Sequence, residues 1–268
     1  MIPLRDNTRL RRVPVVTVVL VVANVVVYVL ATRHGWELFT GPSEATGLRF
    51  GAIPYTFGHW GQHCAIAVLN LNTGQQGLLC TGWPNVVGTP PHVRPVWETA
   101  LTAMFLHANL LQLCWNMSFL VAFGCSVEDR LGHLGFPVFY VLGGVAGLAV
   151  QVLFAPDSTV AVLGASAAIA ALVGAYVVIY PRGRFLALLP FVVKVAFVEQ
   201  PAWLMLAVWV LATVLLGALG LSTPTGTSAG LAICGQIGGL AFGAVVALAL
   251  ARRVKARVPG RASAVGGG

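Results

Sequence analysis

Three carboxamides, Asn109, Gln112 and Asn116, recur at i, i+3 and i+7 in the run HANLLQLCWNM. On a helix that spacing places them on one face, and each amide both donates and accepts hydrogen bonds. Farther along, Ser166 opens SAAIAALVGAY, where Ser166, Ala170 and Gly174 form a stripe of small residues at i, i+4 and i+8. The stretch GQIGGLAFG repeats this spacing at Gly235, Gly239 and Gly243, and Gln236 shares a face with Gly239 and Gly243. Stripes of this kind let two helices approach closely, so the Ser166 hydroxyl and the Gln236 amide are expected to meet at similar depth. On these residues alone, hydrogen bonding that simply holds helices together explains the polar groups as well as a reactive site does.

A second group lies in HWGQHC, where His59 and His63 stand four apart beside Cys64. Two imidazoles and a thiolate suit a metal ion, but no paired motif completes the ligand set, so neither a metal nor another cofactor is expected. Cys64 and Cys80 can form a disulfide if their loop faces an oxidising compartment; free thiols remain the alternative. Cys114, Cys125 and Cys234 fall in or beside apolar runs, where a thiol is an ordinary packing group.

The elements that must position these groups are membrane-length. Hydrophobic residues make up 57% of the 268 and charged ones 9%, and mean hydropathy is +0.85, far too apolar for a soluble domain. Crossing the hydrocarbon core takes about 20 apolar residues, and six runs approach that length, at 13–31, 97–123, 135–154, 162–180, 202–219 and 229–252. A seventh apolar stretch, 185–198, is interrupted by Pro190 and Lys194 and is expected to be interfacial or re-entrant. The chain is therefore expected to be an all-α, polytopic bundle over 13–252, with a basic N-terminus at 1–12, a long outer loop at 33–96 and a basic, Gly-rich tail at 253–268.

Arg5, Arg9, Arg11 and Arg12 precede the first run, and no small-residue cleavage pattern comes before Arg33, so that run reads as a retained anchor. Six spans from a cytoplasmic N-terminus put the C-terminus in the cytoplasm too. On that layout 13 of the 16 Lys and Arg lie inside, as the positive-inside rule requires, and the plasma membrane is the expected location. The net charge of +8 then reflects topology and affinity for the lipid bilayer; bases this dispersed argue against nucleic acid. No span carries a buried ionisable pair of the kind that relays ions, which disfavours a transporter.

Taken in order, MIPLRDNTRLRRVPVVT, FLHANLLQLCWNMSFLVAFGCSVEDRLGHLGF, LGASAAIAALVGAY, PRGR, QPAW and GQIGGLAFG resemble the rhomboid family of intramembrane serine proteases over nearly the whole chain. The resemblance implies that Ser166, in Gly164-Ala165-Ser166-Ala167, matches the nucleophile. It implies that Gln112 and Asn116 match the oxyanion helpers, His107 a residue that packs the helix start, and Glu128 an acid that ties a loop to helix ends. The general base, a His three residues before a Gly, corresponds to Gln236 ahead of Gly239. Substrates would be transmembrane segments of other proteins.

Here the chain departs from the family pattern. A serine hydroxyl needs a base with a pKa near neutrality to take its proton, and a carboxamide has no such lone pair. Gln112 also replaces a His, although it retains a donor, and Ala167 replaces a Gly. Two classes are therefore expected to compete: an inactive or impaired relative that binds membrane helices, and an active protease with an unconventional base.

Overall fold

The computed structural model describes residues 2–6, 10–32, 37–70, 75–83, 94–190, 195–218 and 229–256. Strand β1 (Ile2–Asp6) leads to helix α1 (Val15–Ala31). The outer loop then carries short helices α2 (Glu37–Thr40), α3 (Glu44–Phe50) and α4 (Pro54–Gly58), followed by strands β2 (Cys64–Asn70) and β3 (Gln75–Cys80). After α5 (Val96–Thr102) come α6 (Leu110–Phe154) and α7 (Ser166–Ile179). Strands β4 (Arg184–Pro190) and β5 (Val195–Pro201) separate these from α8 (Ala202–Ala218) and α9 (Ala229–Ala256).

Helix α1 is inside out compared with a helix of a soluble protein. Its buried residues are Thr17, Asn24 and Tyr28, whereas Val15, Val18, Val19, Val22, Val25, Val26, Val29 and Leu30 are exposed. Water would penalise that arrangement by about 25 cal/mol for each Å² of apolar surface left uncovered; lipid would not. Among the described residues, α6 and residues Ala232–Arg252 of α9 are long and apolar enough to cross a membrane. Val15–Ala31, Ser166–Ile179 and Ala202–Ala212 are apolar and shorter.

Helix α7 is the axis of the bundle, buried on every side from Ala168 to Tyr176. It can be enclosed because its neighbours present glycines to it. A Cβ on Gly239 would lie 2.1 Å from the Ala167 carbonyl oxygen, and one on Gly243 only 1.9 Å from that of Ala171. From the other side, a Cβ on Gly147 of α6 would come within 2.5 Å of the Ala167 Cβ. An aromatic layer fills the bundle below this contact: Phe119 packs on Phe123 at 5.8 Å and on Trp209 at 6.0 Å, and Phe123 meets Tyr176 edge-on at 5.2 Å.

Glu128 and Asp129 fasten the first helix to this core. Val16 N–H donates to Glu128 Oε1 (2.9 Å), and Thr17 donates to Oε2 through its N–H (2.7 Å) and hydroxyl (2.6 Å). His133 Nδ1 is 2.7 Å from Oε1, and the N–H groups of Arg11 and Arg12 donate to Asp129 Oδ1 at 2.9 and 2.7 Å. The N-cap of α1, Pro14, makes no side-chain cap of its own, so a carboxylate from α6 meets the otherwise unsatisfied donors and the positive end of the helix dipole.

The sequence expectations need correction in several places. Two small sheets accompany the helices. One has the order β1-β4-β5 and the other pairs β2 with β3. The apolar stretch 185–198, expected to be interfacial or re-entrant, is a hairpin in its described part, with Phe185 opposite Gln200 and Leu189 opposite Ala196. It is too short to span and rich in Phe and Val, so strand pairing satisfies its backbone. The expected span 97–123 is not one helix, since α5 ends at Thr102 and α6 starts only at Leu110. The second and third expected spans meet without a loop at Gly132, whose φ of 77° and ψ of 166° break α6 into two limbs. Arg9, Arg33, Lys194, Arg257, Arg261 and the tail beyond 256 lie outside the described residues.

Candidate functional site

The site begins at Gly164, whose φ of +111° is open to glycine and strained for any other residue. Its N–H donates to the Ala103 carbonyl (2.9 Å), which swings the chain inward so that α7 starts at Ser166. A Cβ here would stand 3.0 Å from Gln112 Nε2 and 3.5 Å from Asn116 Nδ2. Two amide donors therefore converge on the backbone beside Ser166. Asn116 is buried, and its Nδ2 has no hydrogen-bond partner among the described residues. A buried donor left unsatisfied costs about 1–3 kcal/mol, a cost that an incoming oxygen would relieve.

Gln112 is held in place by its neighbours. Its Oε1 accepts from Ala108 N–H (2.7 Å), its Nε2 points to the Leu163 carbonyl at 3.4 Å, and its own N–H donates to Asn109 Oδ1 (2.8 Å). Asn109 is thus the N-cap of α6, with extended backbone angles. It does not share a helical face with Gln112 and Asn116, which corrects that expectation.

The other wall is α9. Gly239 and Gly243 touch the carbonyls of Ala167 and Ala171 in turn, so α7 and α9 run parallel and in register. Gln236 lies one turn before Gly239 on the same face, which brings it level with the start of α7; it is 5% exposed. The Ala167 methyl lodges against Gly147, and Gly147 in turn abuts the Gly235 carbonyl.

The sequence reading passed over one polar side chain here. Gln151 of α6 is buried, and a Cβ on Gly235 would lie 2.7 Å from both its Cδ and its Nε2. Gln151 lines a cavity of about 30 Å³ together with Met104, Leu148, Gly164, Ser166 and Gly235. A water needs about 10–15 Å³ of such volume. The signal was present, since Gln151 is as anomalous inside GLAVQVLF as Gln236 is inside GQIGGLAFG.

His107 is fully buried in the turn before α6, with the Phe105 backbone beside its ring. No hydrogen bond of the described residues joins it to Ser166. Glu128 sits three turns beyond Asn116 on α6, close to the Gly132 break, and serves the α1 terminus as described above.

In the outer loop Cys64 and Cys80 are joined as a disulfide, which removes the thiolate from the HWGQHC set. His59 follows the end of α4 and stacks on Tyr55 at 4.3 Å. Among the described residues, no three His, Cys, Asp or Glu side chains are placed to hold a metal.

Comparison with known proteins fits this arrangement. Residues 94–253, over half the chain, match the family model described as Rhomboid domain. The chain is similar to rhomboid-like protein 11, chloroplastic, from Arabidopsis thaliana, at 40% identity over 78 residues, 29% of this chain and 28% of that protein. It is 35% identical over 75 residues to the mitochondrial RHOMBOID-like protein 6 of the same plant, covering 28% of this chain and 24% of the relative. RHOMBOID-like protein 7, also from Arabidopsis thaliana, is 33% identical over 93 residues, 35% of this chain and 28% of its own length. Each match spans less than a third of the relative.

Proposed function

The chain belongs to the rhomboid family of membrane-embedded proteins, and from that premise we propose that it is built as an intramembrane serine endopeptidase for transmembrane segments whose acid–base step is impaired or lost. What supports this reading is Gln236, a buried carboxamide three residues before Gly239, which packs on Ala167 next to Ser166; the resemblance matches Gln236 to the family's basic imidazole. Gln236 can orient the Ser166 hydroxyl and fill the volume of a ring, but it cannot accept the proton or return it to a leaving amine. In serine hydrolases, losing a triad member costs on the order of 10⁴ to 10⁶ in kcat.

The serine and its hydrogen-bond donors remain, although Gln112 and Ala167 also depart from the family pattern. Ser166 is the first residue of α7, so the helix N-terminus favours negative charge beside it. Gln112 Nε2, Asn116 Nδ2 and the Ser166 N–H would serve an oxyanion there. These retained donors favour the second reading, an active protease in which another group takes the proton. His107, in the turn before α6, has no bond to Ser166, which weighs against it as that group.

Six crossings are proposed: α1, the two limbs of α6, α7, α8 and α9. The 14 residues of α7 rise about 21 Å at 1.5 Å each, roughly 9 Å short of a 30 Å hydrocarbon core. That shortfall would leave Ser166 below the outer membrane surface. Both termini are proposed to be cytoplasmic at the plasma membrane; the distribution of basic residues supports the orientation alone, and the disulfide supports an oxidising side for the loop at 33–96. Clients would be transmembrane segments of other membrane proteins, held in the bundle without being cut.

A fluorophosphonate probe tests the proposal, because it labels only an activated serine. Purified protein is expected to stay unlabelled, with labelling appearing in Gln236→His and vanishing in Gln236→His/Ser166→Ala. Strong labelling of the unmodified protein, lost in Ser166→Ala, would establish the active alternative.

A further inference from the structure

Above the bundle, the outer loop is joined to the segment that delivers Ser166. Strands β2 and β3 pair Cys64 opposite Cys80 at the base of their hairpin, where the disulfide closes it. Cys80 is fully buried in a small apolar cluster with Ile53, Tyr55 and Ala161, against which Leu48, Leu78 and Trp83 pack. Ala161 is the member of that cluster that belongs to the chain entering α7.

Hydrogen bonds continue the connection on both sides. The Tyr55 hydroxyl donates to Gln62 Oε1 and lies 3.2 Å from the Thr81 carbonyl, while His63 N–H donates to Thr81 Oγ1 (2.7 Å) and Thr81 N–H to the His63 carbonyl (2.9 Å). Tyr55 therefore braces the residues flanking both cysteines. Its own N–H donates to the Ser158 carbonyl (2.9 Å). Three residues earlier, Ala52 exchanges two bonds with Val162, at 3.1 and 2.7 Å. A Cβ on Gly51 would press Leu163 and Ala161, and one on Gly58 would press Pro156. Residues 51–58 thus lie along 156–163 as a splint, one residue short of Gly164.

We infer that the disulfide-closed hairpin is a clamp on the chain leading into Ser166: it fixes residues 51–58, and these hold 156–164 in the path that gives Gly164 its left-handed turn. Opening the disulfide frees the entry segment and leaves the helix bundle intact. The clamp positions Ser166 from the outer loop, in addition to the bond from Gln112 Nε2 to the Leu163 carbonyl. It is independent of whether Ser166 can be activated, because it concerns the backbone and not the base.

Hydrogen–deuterium exchange of the full chain in lipid nanodiscs tests this, with the protein oxidised or treated with a trialkylphosphine. The phosphine supplies two electrons, water supplies two protons for the thiols, and the phosphorus leaves as its oxide. Peptides covering 51–56 and 156–165 should exchange at least about tenfold faster after reduction, as a locally opened unit does, while α7 and α9 keep their protection. Unchanged exchange at 156–165 overturns the clamp, and so does loosening that spreads equally through α7 and α9. Tyr55→Phe, which keeps the disulfide and the ring, should speed the same two peptides, and no change in that variant also overturns the proposal. Ser166→Ala should show the same response to reduction, which separates this result from any outcome on catalysis.

Discussion

Gly239→Ala probes the contact on which the site depends. The new Cβ would lie 2.1 Å from the Ala167 carbonyl oxygen, 3.0 Å from its carbon and 3.2 Å from the Ala170 Cβ. A carbon normally stays about 3.3 Å or more from a carbonyl oxygen, so α7 and α9 must part by about 1 Å. Overpacking of this kind costs about 1–3 kcal/mol, offset in part by the gain of up to about 1 kcal/mol from replacing a helical glycine. The net loss is about 1–2 kcal/mol. For a chain of this size that lowers Tm by roughly 2–8 °C, read by circular dichroism on thermal unfolding in detergent. Gly135→Ala is the matched control: Gly135 is exposed on α6, and its Cβ would meet only the Leu131 Cβ at an ordinary 3.6 Å. It keeps the helix gain without the clash and should raise Tm by a few degrees. A Gly239→Ala protein as stable as its parent would refute the close α7–α9 contact, and with it the geometry that supports pairing Gln236 with Ser166 in the proposed reading.

Other consequences can be checked the same way. Glu128→Gln puts an amide where two carboxylate oxygens accept from Val16, Thr17 and His133; charge-assisted bonds of this kind contribute about 1.5–3 kcal/mol each, so a loss of about 3 kcal/mol in unfolding free energy is expected. Thr17→Val removes only the hydroxyl bond to Glu128 and should cost about 1–2 kcal/mol in the same assay. Gln112→Ala leaves the Ala108 N–H and the Leu163 carbonyl without their side-chain partner, an expected loss of about 1–3 kcal/mol in thermal unfolding.

Repetition made much of this site legible. Glycines spaced by four in α9 and small residues spaced by four in α7 pointed to a close helix pair; α9 does approach α7, but Gly239 and Gly243 meet the carbonyls of Ala167 and Ala171, one residue along from the expected stripe, of which Ala170 also touches Gly239. Gln236 followed from its spacing to those glycines. Asn109 was misplaced because an amide at i, i+3 looks the same on a helical face as at an N-cap, although Asn109 followed by Gln112 three residues on is itself a helix-start signal. Gln151 was missed although its polarity within an apolar run was visible. The strands were hidden for another reason: β2 and β3 lie in a loop with no strong period, and β4 and β5 form an apolar run that hydropathy cannot tell from a membrane segment. Pairing of Cys64 with Cys80 required proximity, here a Cα–Cα distance of 4.0 Å, which sequence spacing does not supply.

The proposed reading, in which the protein takes up a transmembrane helix while Gln236 withholds the chemistry, can be tested outright. Its most direct measurement places the purified protein in proteoliposomes with a fluorophore-labelled transmembrane peptide, following binding by energy transfer and peptide integrity by mass spectrometry in the same samples. The account predicts saturable binding, equal in the parent and in Ser166→Ala, with the peptide intact in both. Cleavage by the parent that disappears in Ser166→Ala would contradict it and show that a base other than Gln236 serves Ser166.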